Sequence, residues 1–119
     1  MSGEHDFSIS LHREGEATIV IPVGDIDLVT VDEVRSHVRQ AAGEARRVVL
    51  DLRQVAFMDS SGLRLLVEAQ QSAEQDGFAF AVVRGPASLE RLFEVTGLDG
   101  RMTVLDDPAQ AADGGQAGR

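Results

Sequence analysis

The segment RVVLDLRQVAFMDSSGL, residues 47–63, decides the fold. Its first part, Arg47 to Leu52, is an apolar run with the length of a buried strand. Its last part begins a helix that we predict from about Ser60 to Gln75, with one apolar face formed by Leu63, Leu66, Val67 and Ala73. A buried strand that leads through a polar turn into a helix is typical of an α/β fold.

Upstream of this segment the pattern predicts a hairpin. Phe7 to His12 alternates apolar and polar residues, and Ala17 to Val23 is almost continuously apolar. The link at Glu14-Gly15-Glu16 is short, so the two strands are antiparallel. Pro22 cannot donate a ladder hydrogen bond, and we expect it near a strand end or where a neighbouring strand is missing.

The hairpin is followed by a predicted loop and a helix. Gly24 to Val29 reads as a loop or a short extended piece. Thr30 and Glu33 have the spacing of a capping box, with Thr30 as the N-cap. Gly43 is the predicted helix end. The apolar face of this helix consists of Val31, Val34, Val38 and Ala41.

Downstream, two further strands and a third helix are predicted. Gly77 closes the second helix, and Phe78 to Val83 forms the fourth strand. Gly85-Pro86 opens a third helix that Gly97 stops, and Met102 to Leu105 forms a short fifth strand. The buried face of the third helix is predicted to be Leu89, Leu92 and Phe93.

Together these elements predict one α/β domain. A hairpin followed by three strand–helix units gives a mostly parallel sheet with one antiparallel edge strand, right-handed βα crossovers and helices mainly on one face. We assign residues 7–106 to this domain, 1–6 to a flexible N-terminus and 107–119 to a flexible C-terminal tail with at most a short helix near Pro108 to Ala112.

Composition narrows the classes of partner. The chain has 119 residues, 20 acidic and 11 basic, and a net charge of −9. Such a surface repels phosphate backbones, and without Trp or Tyr there are few platforms for base stacking, so we expect no nucleic-acid partner. There is no cysteine for disulfides or thiol catalysis. The apolar runs are too short to span a membrane and no secretory leader opens the chain, so we expect a cytoplasmic protein without a membrane segment.

The sequence lacks the motifs of common enzymes and cofactor sites. It has no Walker phosphate loop and no dinucleotide fingerprint. Met58 to Gly62 lacks the early glycine of a hydrolase nucleophile elbow. His5, His12 and His37 are not spaced as a metal pair. We therefore expect no enzyme activity, no cofactor and no metal.

The turn Asp59-Ser60-Ser61-Gly62 is the candidate functional site. It lies where a strand becomes a helix, at the sheet edge where function collects in α/β folds. One interpretation is structural: Asp59 or Ser60 is a helix cap. The other is functional, because a hydroxyl at a helix N-terminus can carry a phosphate that the free N–H groups and the helix dipole stabilise.

A series of motifs resembles the STAS domain family, and within it the bacterial anti-sigma-factor antagonists. The residues that carry the resemblance are Gly24-Asp25-Ile26-Asp27, Val48-Val49-Leu50-Asp51-Leu52, Phe57-Met58-Asp59-Ser60-Ser61-Gly62-Leu63 and Leu92-Phe93-Glu94-Val95-Thr96-Gly97-Leu98. The resemblance covers roughly residues 7–106.

The resemblance implies partner switching. The unphosphorylated antagonist binds an anti-sigma factor, which is a serine kinase, and frees a sigma factor. The kinase then phosphorylates the antagonist and releases it, and a PP2C-type phosphatase restores it. The phosphorylated residue maps onto Ser60. The partner-binding residues map onto Asp25, Asp27, Asp59, Ser61, Gly62 and Arg64, although family members often carry glycine at the last position. We expect the free protein to be a monomer.

Two other functions remain open. STAS domains also serve as subunits of membrane transport or stress-signalling assemblies without a phosphoswitch. An enzyme with Ser60 as its nucleophile is disfavoured, because the sequence places no histidine as its base.

Overall fold

The computed structural model describes residues 7–112 and begins with the predicted hairpin. Strands β1 (Ser8–Glu14) and β2 (Ala17–Ile26) pair antiparallel, from Ser8 opposite Val23 to Glu14 opposite Ala17. The turn between them uses Gly15 at a φ of 62°, a left-handed conformation that glycine adopts without strain. The hairpin is therefore confirmed.

The second strand runs further than the sequence predicts. Residues Gly24 to Ile26, predicted as a loop or a short extended piece, are extended. They continue β2 and pair with a strand that was not predicted, β4 (Val55–Met58). Residues 17–20 of β2 pair instead with β3 (Arg47–Asp51). Pro22 lies between these two paired stretches, where no parallel neighbour needs its missing N–H.

The remaining strands extend the parallel sheet. β5 (Ala79–Val83) pairs with β3, and β6 (Thr103–Leu105) pairs with β5. The order is β1-β2-β3-β5-β6, with β4 attached to the end of β2. The predicted mostly parallel sheet with an antiparallel edge strand is confirmed, but consecutive strands are not all neighbours because β4 lies off the main path.

Three helices cover one face of this sheet. They are α1 (Val31–Glu44), α2 (Ser60–Asp76) and α3 (Ala87–Thr96), and all three contribute to one apolar core with β2, β3 and β5. The four predicted core positions of α1 are buried. In α2 the buried stripe is rotated, and it consists of Gly62, Leu65, Leu66, Ala69 and Ala73. Leu63 and Val67, predicted on that face, are only half-buried.

Two of these three helices end at a glycine in the left-handed backbone conformation. Gly77 and Gly97 adopt φ values of 81° and 77° and end α2 and α3 as predicted. Gly43 does not end α1, which continues to Glu44. Pro86 is the N-cap of α3, one position before the predicted first turn.

The opposite face of the sheet carries a smaller core. Its members come from the strands and from a short helix, α4 (Ala109–Ala112), whose Ala111 is buried there. The Arg47 guanidinium donates a hydrogen bond to the Ala111 carbonyl at 3.4 Å. Ala111, which is assigned to the tail on the basis of the sequence, thus lies against the sheet. Residues 1–6 and 113–119 lie outside the described part, and their predicted flexibility stays a prediction.

Candidate functional site

The turn between β4 and α2 is organised by the side chain of Asp59. Asp59 is the N-cap of α2, and its carboxylate accepts hydrogen bonds from the Ser61 backbone N–H at 2.8 Å and from the Ser61 hydroxyl at 2.5 Å. These bonds satisfy one of the free N–H groups at the start of the helix. The structural interpretation of the turn is therefore correct for Asp59. Ser60 is not the cap of the helix.

Ser60 is the first residue of α2 and is exposed. Within residues 7–112 its hydroxyl makes no hydrogen bond, whereas the Ser61 hydroxyl is part-buried and bonded. The two adjacent serines therefore differ. Ser61 is hydrogen-bonded to the cap residue Asp59, whereas the Ser60 hydroxyl, without a partner in this range, is exposed at the helix N-terminus. That position suits a phosphate, because nearby N–H groups and the helix dipole stabilise an anion.

The hydrogen bonds around Asp59 lower the pKa of its carboxyl. The largest contribution is the bond from the Ser61 hydroxyl, which outweighs the opposing effect of burial. The backbone N–H groups of Ser61, Gly62 and Leu28 add to it. Asp59 thus stays negatively charged at neutral pH, directly beside Ser60.

The loop between β2 and α1 lies next to this turn. The Asp59 N–H donates to the Ile26 carbonyl at 3.2 Å, and Leu28 N–H contributes to the lowered pKa of Asp59. The parallel register places Asp25 opposite Phe57. The pairing of β2 with β4 therefore brings Asp25 and Asp27 to the same end of the sheet as Asp59.

Asp27 and Thr30 hold that loop in shape. The Asp27 carboxylate accepts hydrogen bonds from the N–H groups of Val29 at 3.0 Å and Thr30 at 3.2 Å. The buried Thr30 hydroxyl donates to the Asp25 carbonyl at 2.7 Å and accepts from the Asp27 N–H at 3.0 Å. The predicted capping box is therefore wrong. Thr30 is the N-cap of α1 but makes no side-chain cap hydrogen bond, because its hydroxyl is taken by the loop before it.

Gly62 and Arg64 differ in solvent exposure. Gly62 is buried, and a Cβ there would lie 2.4 Å from Cγ of Met58 and 3.1 Å from Cγ2 of Ile26. Its absent side chain lets α2 approach β2 and β4 closely. Arg64 is exposed, and no carboxylate within residues 7–112 lies in ion-pair distance of it. A direct contact between either residue and a partner stays a prediction.

An apolar rim, which was not predicted from the sequence, surrounds this turn. Four large apolar side chains in the described part are exposed: Leu28 (77%), Val29 (71%), Phe57 (52%) and Val95 (77%). Two are in the loop beside Asp59, and a third precedes Ser60 by three positions. The sequence signal for this rim was the pair of apolar residues between Asp27 and Thr30. Apolar residues in a surface loop are not buried in the core, so they stay exposed.

No metal centre or membrane helix is found between residues 7 and 112. No group of three metal-ligating side chains is close enough there to hold an ion. None of the helices in that range is long and apolar enough to cross a bilayer.

Comparison with known families gives the identification. The family model described as the STAS domain matches residues 8–111. The chain belongs to the STAS domain family. This STAS protein is 29% identical to the anti-sigma F factor antagonist of Paenibacillus polymyxa over 108 residues, which are 89% of the chain and 92% of that relative. It is also 32% identical to osmosensory protein A of Mycobacterium tuberculosis over 76 residues, which are 64% of the chain but only 48% of that relative.

Solved structures agree with the fold of this STAS domain. An anti-sigma factor antagonist from Mycobacterium paratuberculosis superposes with a TM-score of 0.80 at 26% identity, covering 95% of the chain and 97% of that structure. The Bacillus cell fate determinant SpoIIAA in its phosphorylated form superposes with a TM-score of 0.68 at 20% identity, covering 89% of the chain and 97% of that structure. The second likeness supports the fold alone.

Proposed function

We propose that this STAS domain is an anti-sigma factor antagonist that works by partner switching. In its unphosphorylated form it binds an anti-sigma factor, so that a sigma factor is released for transcription. The anti-sigma factor is also a serine kinase, and it phosphorylates Ser60. The single observation that carries the proposal is the exposed hydroxyl of Ser60 at the start of α2, which has no hydrogen-bond partner within residues 7–112 and lies beside the bonded pair Asp59 and Ser61.

Phosphorylation of Ser60 would change the surface without unfolding the domain. The helix N-terminus accommodates the phosphate, and the Ser60 side chain makes no hydrogen bond within the described residues that the modification would break. The phosphate adds roughly two negative charges beside Asp59, and near Asp25 and Asp27. A docked partner would then face like-charge repulsion and the desolvation of a dianion.

The expected size of this effect is sufficient for a switch. Unpaired charges at buried interfaces cost about 2–5 kcal/mol, which corresponds to roughly 30-fold to several-thousand-fold weaker binding. The Asp59 carboxyl is ionised at neutral pH, and the hydrogen bonds that lower its pKa favour the charged form further. A partner that binds the unphosphorylated form must therefore already accept the Asp59 carboxylate at the contact surface.

The other expectations belong to this proposal. The domain itself is a regulator and not an enzyme, and ATP and Mg²⁺ are bound by the kinase. A PP2C-type phosphatase removes the phosphate. We expect the antagonist to act in the cytoplasm, to bind no nucleic acid and to be a monomer when free. The antagonist relatives support an anti-sigma factor as the partner.

The test is a phosphorylation and binding assay with purified anti-sigma kinases from the same organism. Wild type should gain one phosphate on Ser60 in the presence of ATP, and its affinity for the kinase should then fall. Ser60→Ala should bind without being phosphorylated, Ser60→Asp should lose binding, and Ser61→Ala should still be phosphorylated. Equal binding by Ser60→Ala and Ser60→Asp to a kinase that binds wild type would refute the switch.

A second candidate is a subunit of a larger stress-signalling or membrane transport assembly without a phosphoswitch. The similarity to osmosensory protein A favours it, since the chain spans only about half of that relative. In this case Ser60 would never be modified in cells under osmotic stress, and phosphosite mapping by mass spectrometry distinguishes the two functions.

A further inference from the structure

An apolar groove lies between β4 and α3, next to the Ser60 turn. It has a volume of about 340 Å³ and is lined by Ala56, Phe57, Met58, Ser88, Leu89, Arg91, Leu92 and Val95. Phe57 and Val95 on its rim are 52% and 77% exposed, whereas Met58 and Leu89 are buried. Exposed apolar side chains that gather around a groove mark interaction sites more often than isolated ones do.

The position of the groove ties it to any partner that reaches Ser60. Phe57 precedes Ser60 by three residues, which is at most about 10 Å along an extended chain. A standard interface buries about 800 Å² on each partner, which is a disc with a radius of about 16 Å. An interface centred on Ser60 therefore covers Phe57 and the opening of the groove.

Charge indicates the chemistry of the occupant. The chain has a net charge of −9, but among the described residues the only charged side chain that lines the groove is the cation Arg91. The groove thus lacks the carboxylates that dominate the rest of the molecule. It fits a segment with apolar side chains and a carboxylate at the end nearest Arg91. A second copy of this acidic chain fits it less well, because the two copies repel each other.

We propose that this groove binds an apolar segment of the anti-sigma factor that carries an acidic residue facing Arg91. The proposal rests on the proposed function and extends it. The Ser60 turn switches the complex, whereas Phe57, Leu92 and Val95 provide an anchor that determines which anti-sigma factor is bound. These three side chains lie beside the Ser60 hydroxyl and do not contact it. They therefore contribute to affinity without taking part in phosphoryl transfer.

The test uses the purified anti-sigma kinase that phosphorylates Ser60 in the preceding experiment. Its affinity is measured without ATP for wild type, Phe57→Ser and Val95→Ser. Interface anchors contribute enough that we expect each variant to bind at least about tenfold more weakly. Glu94→Ser is the matched control, since Glu94 is the exposed neighbour of Val95 and lines the other side of α3 with Arg84 and Asp99. It should bind like wild type.

Kinetics and charge provide two further readouts. For phosphorylation of Ser60, the Phe57 and Val95 variants should raise KM for the antagonist and leave kcat unchanged, because the groove does not contact the reacting atoms. Arg91→Glu should weaken binding and Arg91→Lys should largely retain it. Thermal unfolding followed by circular dichroism should give similar midpoints for wild type, Val95→Ser and Glu94→Ser, since both side chains are exposed.

The outcomes separate the two proposals. If wild type binds the kinase and is phosphorylated while both groove variants bind equally well, the groove proposal is wrong and the proposed function stands. If no anti-sigma kinase phosphorylates wild type, the proposed function fails and the groove proposal fails with it. Concentration-dependent dimerisation in sedimentation experiments, abolished by Val95→Ser, would assign the groove to a second copy of the chain and overturn the proposal.

Discussion

The Asp59 carboxylate and the Ser61 hydroxyl are joined by a hydrogen bond of 2.5 Å across the first turn of α2. This bond makes the two consecutive serines unequal, because Ser61 is committed to the cap and Ser60 is not. The sequence alone gives Ser60 and Ser61 the same chemistry. The local geometry therefore supports the proposal that Ser60, and not Ser61, is the residue that is phosphorylated.

The first prediction concerns the pKa of Asp59. Ser61→Ala removes the bond that contributes most to lowering it, so the pKa of Asp59 should rise towards its ordinary value near 4. The measurement is a titration of the Asp59 carboxyl carbon by NMR in wild type and variant. Ser60→Ala is the control and should leave the titration unchanged. A wild-type pKa that is unaffected by Ser61→Ala would contradict the assigned cause.

The same bond predicts a pH dependence of stability. Because the folded-state pKa of Asp59 is lowered, its contribution to stability is present above the unfolded-state pKa and is lost as pH falls through the folded-state value. Between neutral pH and pH 5 this contribution should be constant, and it should decline below about pH 4. Chemical denaturation at several pH values should therefore give a smaller acid-induced loss for Asp59→Asn than for wild type.

The two serines should also differ in their effect on stability. Ser61→Ala should lower the free energy of unfolding by about 1 kcal/mol, because the hydrogen bond that the Ser61 hydroxyl donates to Asp59 is lost. Ser60→Ala should change it by less than about 0.5 kcal/mol, because the exposed hydroxyl has no partner in the described part of the chain. Urea unfolding of the two variants measures this difference. A larger loss for Ser60→Ala would reverse the assignment of the two hydroxyls.

Thr30 should be more important than Glu33 for the loop before α1. Thr30→Val keeps the shape of the side chain but leaves the Asp27 N–H and the Asp25 carbonyl without their partner, which should cost about 1–3 kcal/mol. Glu33→Ala should cost less than about 0.5 kcal/mol, because no capping box forms. Equal losses in the free energy of unfolding would mean that the box forms after all.

A side chain at Gly62 should destabilise the domain. Gly62→Ala places a Cβ at 2.4 Å from Cγ of Met58, and overpacking of this kind costs about 1–3 kcal/mol. The loss should be smaller when Met58→Ala removes that atom, which a double-mutant cycle measures. Gly43→Ala is the control. No atom lies within 4 Å of the Cβ that this change adds, and the change should stabilise α1 by about 0.5 kcal/mol.

Several elements could be predicted because their signals are local. Alternation and apolar continuity identified β1 and β2, and helical spacing identified the buried face of α1. The strand β4 was missed because Val55–Met58 is short and mixes two buried with two exposed residues. It is a strand because it pairs with the end of β2, which is a contact that no local pattern encodes.

In the candidate site, too, some features follow from the local sequence and others depend on tertiary contacts. The sequence by itself determined that Asp59 and Ser60 stand at a strand–helix turn, because backbone and capping preferences act over a few neighbouring residues. Only the tertiary structure decided that the loop of Asp27 adjoins Asp59, that the Thr30 hydroxyl bonds the loop instead of the helix, and that Phe57 shares a groove with Val95. These relationships depend on which strands pair and which helices pack together, and that choice is made by burial of apolar surface over the whole chain.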